Sequence, residues 1–147
     1  MKPFSLAAGL LLLACLAAGA AQAGTSADGA ASLYERLGGA GAVEAIATEL
    51  VDTASTDPRT RRSFEGVTLS RTRMHIAVML CQITGGGCVR EGDSMRDIHA
   101  GLGIEQREFH ALVEQLRSIL QRHSIGLRER NELLALLAPM RRDVVEK

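Results

Sequence analysis

Apolar residues recur at helical spacing through most of the chain, and no segment alternates apolar and polar residues over the length of a strand. The clearest apolar stripe predicts a helix from about Glu105 to His123. Similar stripes predict helices from about Ala42 to Ser55 and from a cap at Ser70 to about Ile83. A last helix is predicted from about Leu127 to Val145, with a kink at Pro139 because proline cannot donate its backbone hydrogen bond. The pattern therefore predicts an all-α fold.

Short polar signals predict the breaks between these helices. Ser32-Leu33-Tyr34-Glu35 has the form of a capping box, and Gly38-Gly39 ends the short helix that it begins. Asp57-Pro58 is typical of an N-cap followed by the first helical residue. Ser94 begins a short amphipathic stretch that ends at His99 and is followed by Gly101 and Gly103. A histidine in this place is either a residue that stabilises a helix C-terminus or a ligand.

The first residues have the features of an export signal. Lys2 is followed by an apolar run from about Phe4 to Ala18 and then by Ala21-Gln22-Ala23, which fits a cleavage site. The run is too short for a comfortable membrane span. The chain therefore divides into a signal peptide at 1–23, a flexible leader at 24–31 and a folded domain at 32–147.

An export signal predicts a periplasmic protein in an oxidising compartment. Such a compartment permits a disulfide between Cys81 and Cys88, although the sequence does not give their separation in space. An alternative is that Cys15 is lipidated, and membrane attachment is expected only in that case. The 17 basic and 17 acidic residues balance, so there is no electrostatic footprint for nucleic acid.

Several segments, in their order and spacing, resemble the truncated haemoglobins, and most closely the first group of that family. They are SLYERLGG at 32–39, DP at 57–58, FEGV at 64–67, GG at 85–86, MRDIHAGLGI at 95–104, F at 109 and LAPMRRDVV at 137–145. The resemblance implies a two-on-two helical sandwich around haem b. It also implies that the domain binds a diatomic gas such as oxygen, nitric oxide or carbon monoxide at the haem iron.

The resemblance implies that His99 is the proximal iron ligand, because it stands where the family has that histidine. A neutral imidazole is a good ligand for haem iron. Phe64 matches the aromatic residue that stacks against the haem. Since the sequence has few aromatic residues, aliphatic residues must supply the remaining apolar walls. The expected wall residues are Leu50, Val51, Ile76, Leu80, Met95 and Ile98.

On the distal side the sequence departs from the family pattern. Val51 stands where the family usually has a tyrosine that donates a hydrogen bond to bound oxygen. Ile76 stands where the family usually has glutamine or leucine, and Thr72 lies one turn earlier. A hydrogen bond to a partly charged ligand contributes about 1.5–3 kcal/mol, so its loss predicts faster escape of oxygen.

His75, next to Ile76, has three readings that the sequence leaves open. It is a distal iron ligand, a contact to a haem propionate, or a solvent-facing residue. Arg71, Arg73 and Arg90 are candidate propionate partners, because guanidinium pairs with carboxylate. His110 lies off the apolar stripe of its helix, and His123 suits a helix C-terminus.

Four functions follow from these residues. The first is a gas-binding haem globin. The second is electron transfer or redox sensing through a haem held by two histidines, which requires a redox partner. The third is an enzyme, such as a nitric oxide dioxygenase or a peroxidase, against which the apolar residues Val51 and Ile76 argue. The fourth is a haemless globin-fold interaction module, against which His99 and Phe64 argue.

Overall fold

The computed structural model describes residues 31–147, and these residues contain helices and connecting turns but no strand. The predicted all-α fold is thereby confirmed for this part of the chain. The predicted signal peptide at 1–23, Cys15 and all but the last residue of the predicted leader lie outside the described residues. Seven α-helices follow in order: α1 (Leu33–Arg36), α2 (Gly39–Thr56), α3 (Leu69–Ile83), α4 (Met95–His99), α5 (Gln106–Arg122), α6 (Leu127–Leu137) and α7 (Arg141–Val144).

Two 3-10 turns complete the described structure, at Arg61–Phe64 and at Ala138–Met140. The second contains Pro139 and separates α6 from α7. The sequence predicted one kinked helix over this region. The break arises because proline lacks an N–H and its ring crowds the preceding turn.

The remaining helix ends agree with the sequence to within a few residues. Ser32 caps α1 through the predicted capping box, and Ser94 accepts a hydrogen bond from the Asp97 N–H to cap α4. The predicted cap at Ser70 was wrong, because Thr68 precedes α3. Asp57 ends α2 and opens the next turn, as predicted, although no α-helix begins at Pro58. The Asp57 carboxylate accepts a hydrogen bond from the Arg59 N–H at 2.8 Å, as an N-cap residue does.

The hydrophobic core lies where α2 crosses its neighbours. Helix α2 packs against α3 and α5, and α6 packs against α1 and α5. The apolar stripes of these helices interlock because each presents residues three and four positions apart to the same side. The buried cluster consists of Leu33, Leu37, Val43, Ile46, Ala47, Leu50, Leu80, Leu116, Ile119, Leu120 and Leu133.

Among residues 31–147, none of the helices combines the length and the apolar character that crossing a membrane requires.

Candidate functional site

His99 is the last residue of α4, and its ring is partly buried. The Nδ1 atom lies 2.7 Å from the backbone oxygen of Met95, one helical turn earlier. A carbonyl oxygen can only accept, so Nδ1 carries the proton and donates it. The Nε2 atom then keeps its lone pair. A hydrogen bond at one ring nitrogen fixes the other as the nitrogen available to a metal.

The helix that carries His99 is anchored mainly by the last part of the chain. Helix α4 packs against α7. Arg96 on α4 donates a hydrogen bond to the Asp143 carboxylate on α7 at 3.0 Å. The position of His99 therefore depends on a helix that starts more than forty residues later.

The segment that carries Phe64 lies next to the turn that follows His99. Arg62, in the same 3-10 turn as Phe64, donates hydrogen bonds to the carbonyl oxygens of Leu102 and Gly103, both at 3.1 Å. Its guanidinium also pairs with Glu108 on α5 at 2.5 Å. The structure thus brings together Phe64 and His99, the two residues for which the resemblance implies the most direct haem contacts, in neighbouring segments.

Glu108 is a buried carboxylate whose charge is kept by its partners. Burial alone acts to raise its pKa, but hydrogen bonds from Arg62, from the Glu105 backbone and from Ser63 hold that pKa below its ordinary value. The carboxylate is therefore charged at neutral pH and keeps the Arg62 guanidinium in place. The sequence carries no local signal for this pair, because its two members lie 46 positions apart.

The expected distal residues form an apolar group where α2 meets α3. Leu50 and Val51 on α2 are buried, and Ile76 on α3 is partly buried against the core. Thr72, also partly buried, has its hydroxyl 3.2 Å from the backbone oxygen of Thr68. Since that oxygen only accepts, the hydroxyl proton points back along its own helix.

The histidine and arginine side chains of α3 and of the loop after it differ in exposure and in hydrogen-bond partners. His75 is exposed, on the outer flank of the helix. Arg73 is held by the Asp52 carboxylate, with its Nε and Nη2 atoms 2.9 and 2.5 Å from one oxygen. Arg71 is exposed, and Arg90 donates to the backbone oxygen of Asp93. Arg73 is therefore already engaged by another carboxylate, whereas Arg71 has no such bond within residues 31–147.

The other two histidines lie away from these segments. His110 is exposed on α5, as the sequence predicted. His123 follows the end of α5, and its Nε2 atom lies 2.7 Å from a carboxylate oxygen of Glu49. Arg122 and His123 together hold the pKa of Glu49 below its ordinary value, with the hydrogen bond from Arg122 as the larger cause.

The chain exposes large apolar side chains beside both Phe64 and His99. Val67 is 38% exposed, Ile98 47% and Leu102 39%. Met95 is partly buried. Exposed apolar side chains can mark a place where a ligand binds. A histidine whose Nε2 keeps its lone pair, close in the chain to such side chains, suits haem, which needs one axial nitrogen and an apolar surface.

A disulfide joins Cys81 on α3 to Cys88 in the loop that leads to α4, with their Cα atoms 5.6 Å apart. The pairing that the sequence left open is formed. The loop lies close against α1, since a side chain at Gly86 would meet the sulfur of Cys81 and the ring of Tyr34 at about 2.7 Å or less. Only glycine fits this position.

A sequence profile of the bacterial-like globins matches residues 32–146. The chain is 27% identical to the group 1 truncated hemoglobin GlbN of Nostoc sp. (strain MUN 8820), over 79% of this chain and 98% of that protein. It is 33% identical to the corresponding protein of Nostoc commune, over 58% of this chain and 72% of that protein.

Two solved structures have the same fold. The truncated hemoglobin of Tetrahymena pyriformis in its Fe(III) form superposes with a TM-score of 0.75 at 23% identity, over 79% of this chain and 99% of that one. The 2/2 hemoglobin of Synechococcus sp. PCC 7002, determined in the cyanomet state with covalently attached heme, superposes with a TM-score of 0.73 at 28% identity. That match covers 80% of this chain and 100% of the other. The predicted two-on-two arrangement is therefore confirmed.

One conclusion follows from the profile match over 32–146, the similarity to group 1 proteins and the shared fold. The chain belongs to the bacterial-like globin family, within its group 1 truncated haemoglobins, whose members bind haem and a gas at the haem iron.

Proposed function

We propose that this chain is a gas-binding haem globin in which His99 is the proximal iron ligand. The observation that carries the proposal is the 2.7 Å contact between His99 Nδ1 and the Met95 carbonyl oxygen. It holds the ring in one tautomer, with the lone pair of Nε2 available. Phe64, Met95 and Ile98 are the residues that we expect to contact the porphyrin on this side.

Haem supplies the iron at which a diatomic gas coordinates, and the residues around the gas set its dissociation rate. Val51 and Ile76 carry no polar group, and the Thr72 hydroxyl donates within its own helix. Without a donor, a bound gas that carries partial charge gains nothing from the protein. We therefore propose that the chain favours carbon monoxide or nitric oxide over stable carriage of oxygen.

The test compares two single-histidine variants. His99→Ala is expected to lose stoichiometric haem binding, because the axial nitrogen is gone. His110→Ala is the matched control, since His110 is an exposed histidine on α5. Haem content is measured from the Soret absorbance after titration. Full haem binding by His99→Ala would refute the assignment of His99, and loss of binding by both variants would indicate a general folding defect.

A second candidate function is electron transfer or redox sensing through iron held by His99 and His75, with a redox partner. The observation that favours it is that no hydrogen-bond partner holds the exposed His75 ring within the described residues. Its present orientation on the flank of α3 favours the gas-binding function. His75→Leu distinguishes the two, because only a ligating His75 changes the spectrum of the reduced protein when it is replaced.

We further propose that the chain is exported to the periplasm by cleavage after residue 23. The disulfide between Cys81 and Cys88 supports this location, because disulfides persist in oxidising compartments. N-terminal sequencing of the protein recovered from a periplasmic extract tests it. An N-terminus at Gly24 is expected. Recovery of a chain that begins with a lipidated Cys15 would support the lipoprotein alternative instead.

A further inference from the structure

We infer that Glu146 and Arg62 form a two-sided clamp on the turn Gly101–Gly103 and thereby set the position of His99. The inference rests on the proposed function, since it assigns positioning residues to the proposed proximal ligand. Within residues 31–147, neither residue forms a hydrogen bond with His99. Each acts on the turn that begins two residues after it.

Glu146 holds the N–H side of the turn. One carboxylate oxygen accepts a hydrogen bond from the Gly101 N–H and the other from the Gly103 N–H, both at 2.6 Å. Both glycines have positive φ, 81° and 59°, a backbone conformation in which alternate N–H groups can turn to one side. A carboxylate that accepts two such bonds is held more firmly than a neutral acceptor.

Arg62 holds the carbonyl side of the same turn. Its two terminal nitrogens donate to the oxygens of Leu102 and Gly103. Its Nε and Nη2 atoms also donate to the two oxygens of Glu108, at 3.1 and 2.5 Å. Glu108 is buried and accepts a further hydrogen bond from Ser63. The guanidinium is therefore fixed by its own partner and cannot swing away freely.

Backbone hydrogen bonds keep Glu146 beside the turn. The Glu146 N–H donates to the Ile104 oxygen at 2.9 Å, and the Gln106 N–H donates to the Lys147 oxygen at 3.0 Å. The ion pair between Arg96 and Asp143 fixes the other end of the same arrangement. The carboxylate of Glu146 is thus presented to the turn by an ordered segment.

The consequence concerns the tilt and height of the His99 ring. Helix α4 is five residues long, so it has little stiffness of its own. Release of the turn on one side gives the helix end, and the ring with it, freedom to move. We therefore expect removal of the Glu146 carboxylate to weaken the bond from His99 to iron without changing the residues that contact haem.

The experiment uses the full haem-loaded chain and three variants. Glu146→Ala removes both acceptor oxygens, whereas Glu146→Gln keeps one. Glu114→Ala is the matched control, because it removes an exposed glutamate that pairs with Arg59 on another surface. Three quantities are measured: hydrogen exchange of the Gly101 and Gly103 amides, the rate of haem transfer to excess apomyoglobin, and the iron–histidine stretching band of the reduced protein.

In Glu146→Ala we expect the two amides to exchange about tenfold faster, as for the loss of a hydrogen bond to a charged group. We also expect about tenfold faster haem transfer and a shifted stretching band. Glu146→Gln should lie between this variant and the parent, and Glu114→Ala should match the parent. If Glu146→Ala fails to fold, the glutamine variant carries the same comparison.

Faster amide exchange with an unchanged band and an unchanged transfer rate would overturn the inference, because the turn would then be held without any effect on His99. Unchanged exchange would overturn it as well. The proposed function fails by a different result, namely a parent chain that shows no iron–histidine band at all.

Discussion

The two sides of the candidate haem site differ in how many polar contacts they contain. On the side of His99, polar contacts hold the backbone, through Arg62, Glu146 and the pair of Arg96 with Asp143. On the side of α3, Val51 and Ile76, which we propose to lie near the gas, are apolar, and the Thr72 hydroxyl donates within its helix. In the site that we propose, the polar groups therefore hold the segment that carries His99, whereas the gas side offers no hydrogen-bond donor.

The largest expected effect comes from giving the apolar side a donor. In Ile76→Gln, a side-chain amide on α3 can donate to a bound gas that carries partial charge. We expect oxygen dissociation to slow about ten- to hundredfold, which corresponds to about 1.5–3 kcal/mol. Ile76→Leu is the control of similar volume, and carbon monoxide, which is less polar, should respond less. Equal oxygen dissociation rates in all three proteins, measured by stopped flow, would contradict the proposed position of Ile76 next to the bound gas.

The next effect tests the covalent link between α3 and the loop that leads to His99. Reduction of the disulfide between Cys81 and Cys88, seven positions apart, is expected to lower the free energy of unfolding by about 2 kcal/mol, because the short loop is no longer closed in the unfolded chain. Urea unfolding with and without a dithiol reductant measures it. A double variant, Cys81→Ala with Cys88→Ser, should be insensitive to the reductant. A parent chain with the same midpoint in both conditions would show that the link adds no stability.

A smaller effect is the loss of folding stability in acid that protonation of Glu108 causes. The pKa of Glu108 is held below its ordinary 4.5 in the folded chain, so the unfolded chain takes up its proton first as the pH falls. The stability contributed by this group is complete above about pH 4.5 and is lost progressively below it, as the pH approaches the folded-state pKa. Urea unfolding at a series of acidic pH values measures this loss of stability. Glu108→Gln should flatten this dependence, and an unaltered acid profile in that variant would assign the acid sensitivity to other carboxylates.

The smallest effect is expected at Arg73. Its guanidinium already pairs with Asp52, and both side chains are substantially exposed. Pairs of this kind contribute about 0.5 kcal/mol. Arg73→Gln should therefore shift the unfolding midpoint slightly and leave haem affinity unchanged, whereas Arg71→Gln is the comparison that tests a free arginine on the same helix. A large loss of haem affinity in Arg73→Gln would show that Arg73 leaves Asp52 to contact a propionate.

Much of the fold could be predicted from the sequence, because apolar periodicity and capping residues are local patterns that indicate helices. The apolar stripe predicted α5 to within one residue at each end, and Ser32 and Ser94 marked two helix starts. Local patterns failed where two residues that can cap a helix lie close together. Ser70 was predicted to cap α3, but Thr68 precedes that helix.

The resemblance singled out His99, but neither it nor local pattern indicated what positions that residue. Arg62 and Gly103 are 41 positions apart, and Glu146 and Gly101 are 45 apart. Glutamate and arginine on a helical protein usually face solvent, so neither residue carries a local signal. Contacts of this range become visible only in the folded chain.

The most direct test of the proposed gas-binding site is the absorption spectrum of the haem-reconstituted chain, reduced with dithionite and without added gas. We expect a Soret band at stoichiometric haem and a single broad visible band, typical of iron bound by His99 alone and open to gas. Sharp, split visible bands would contradict the proposal, because they indicate that a second residue, with His75 as the candidate, occupies the position proposed for the gas.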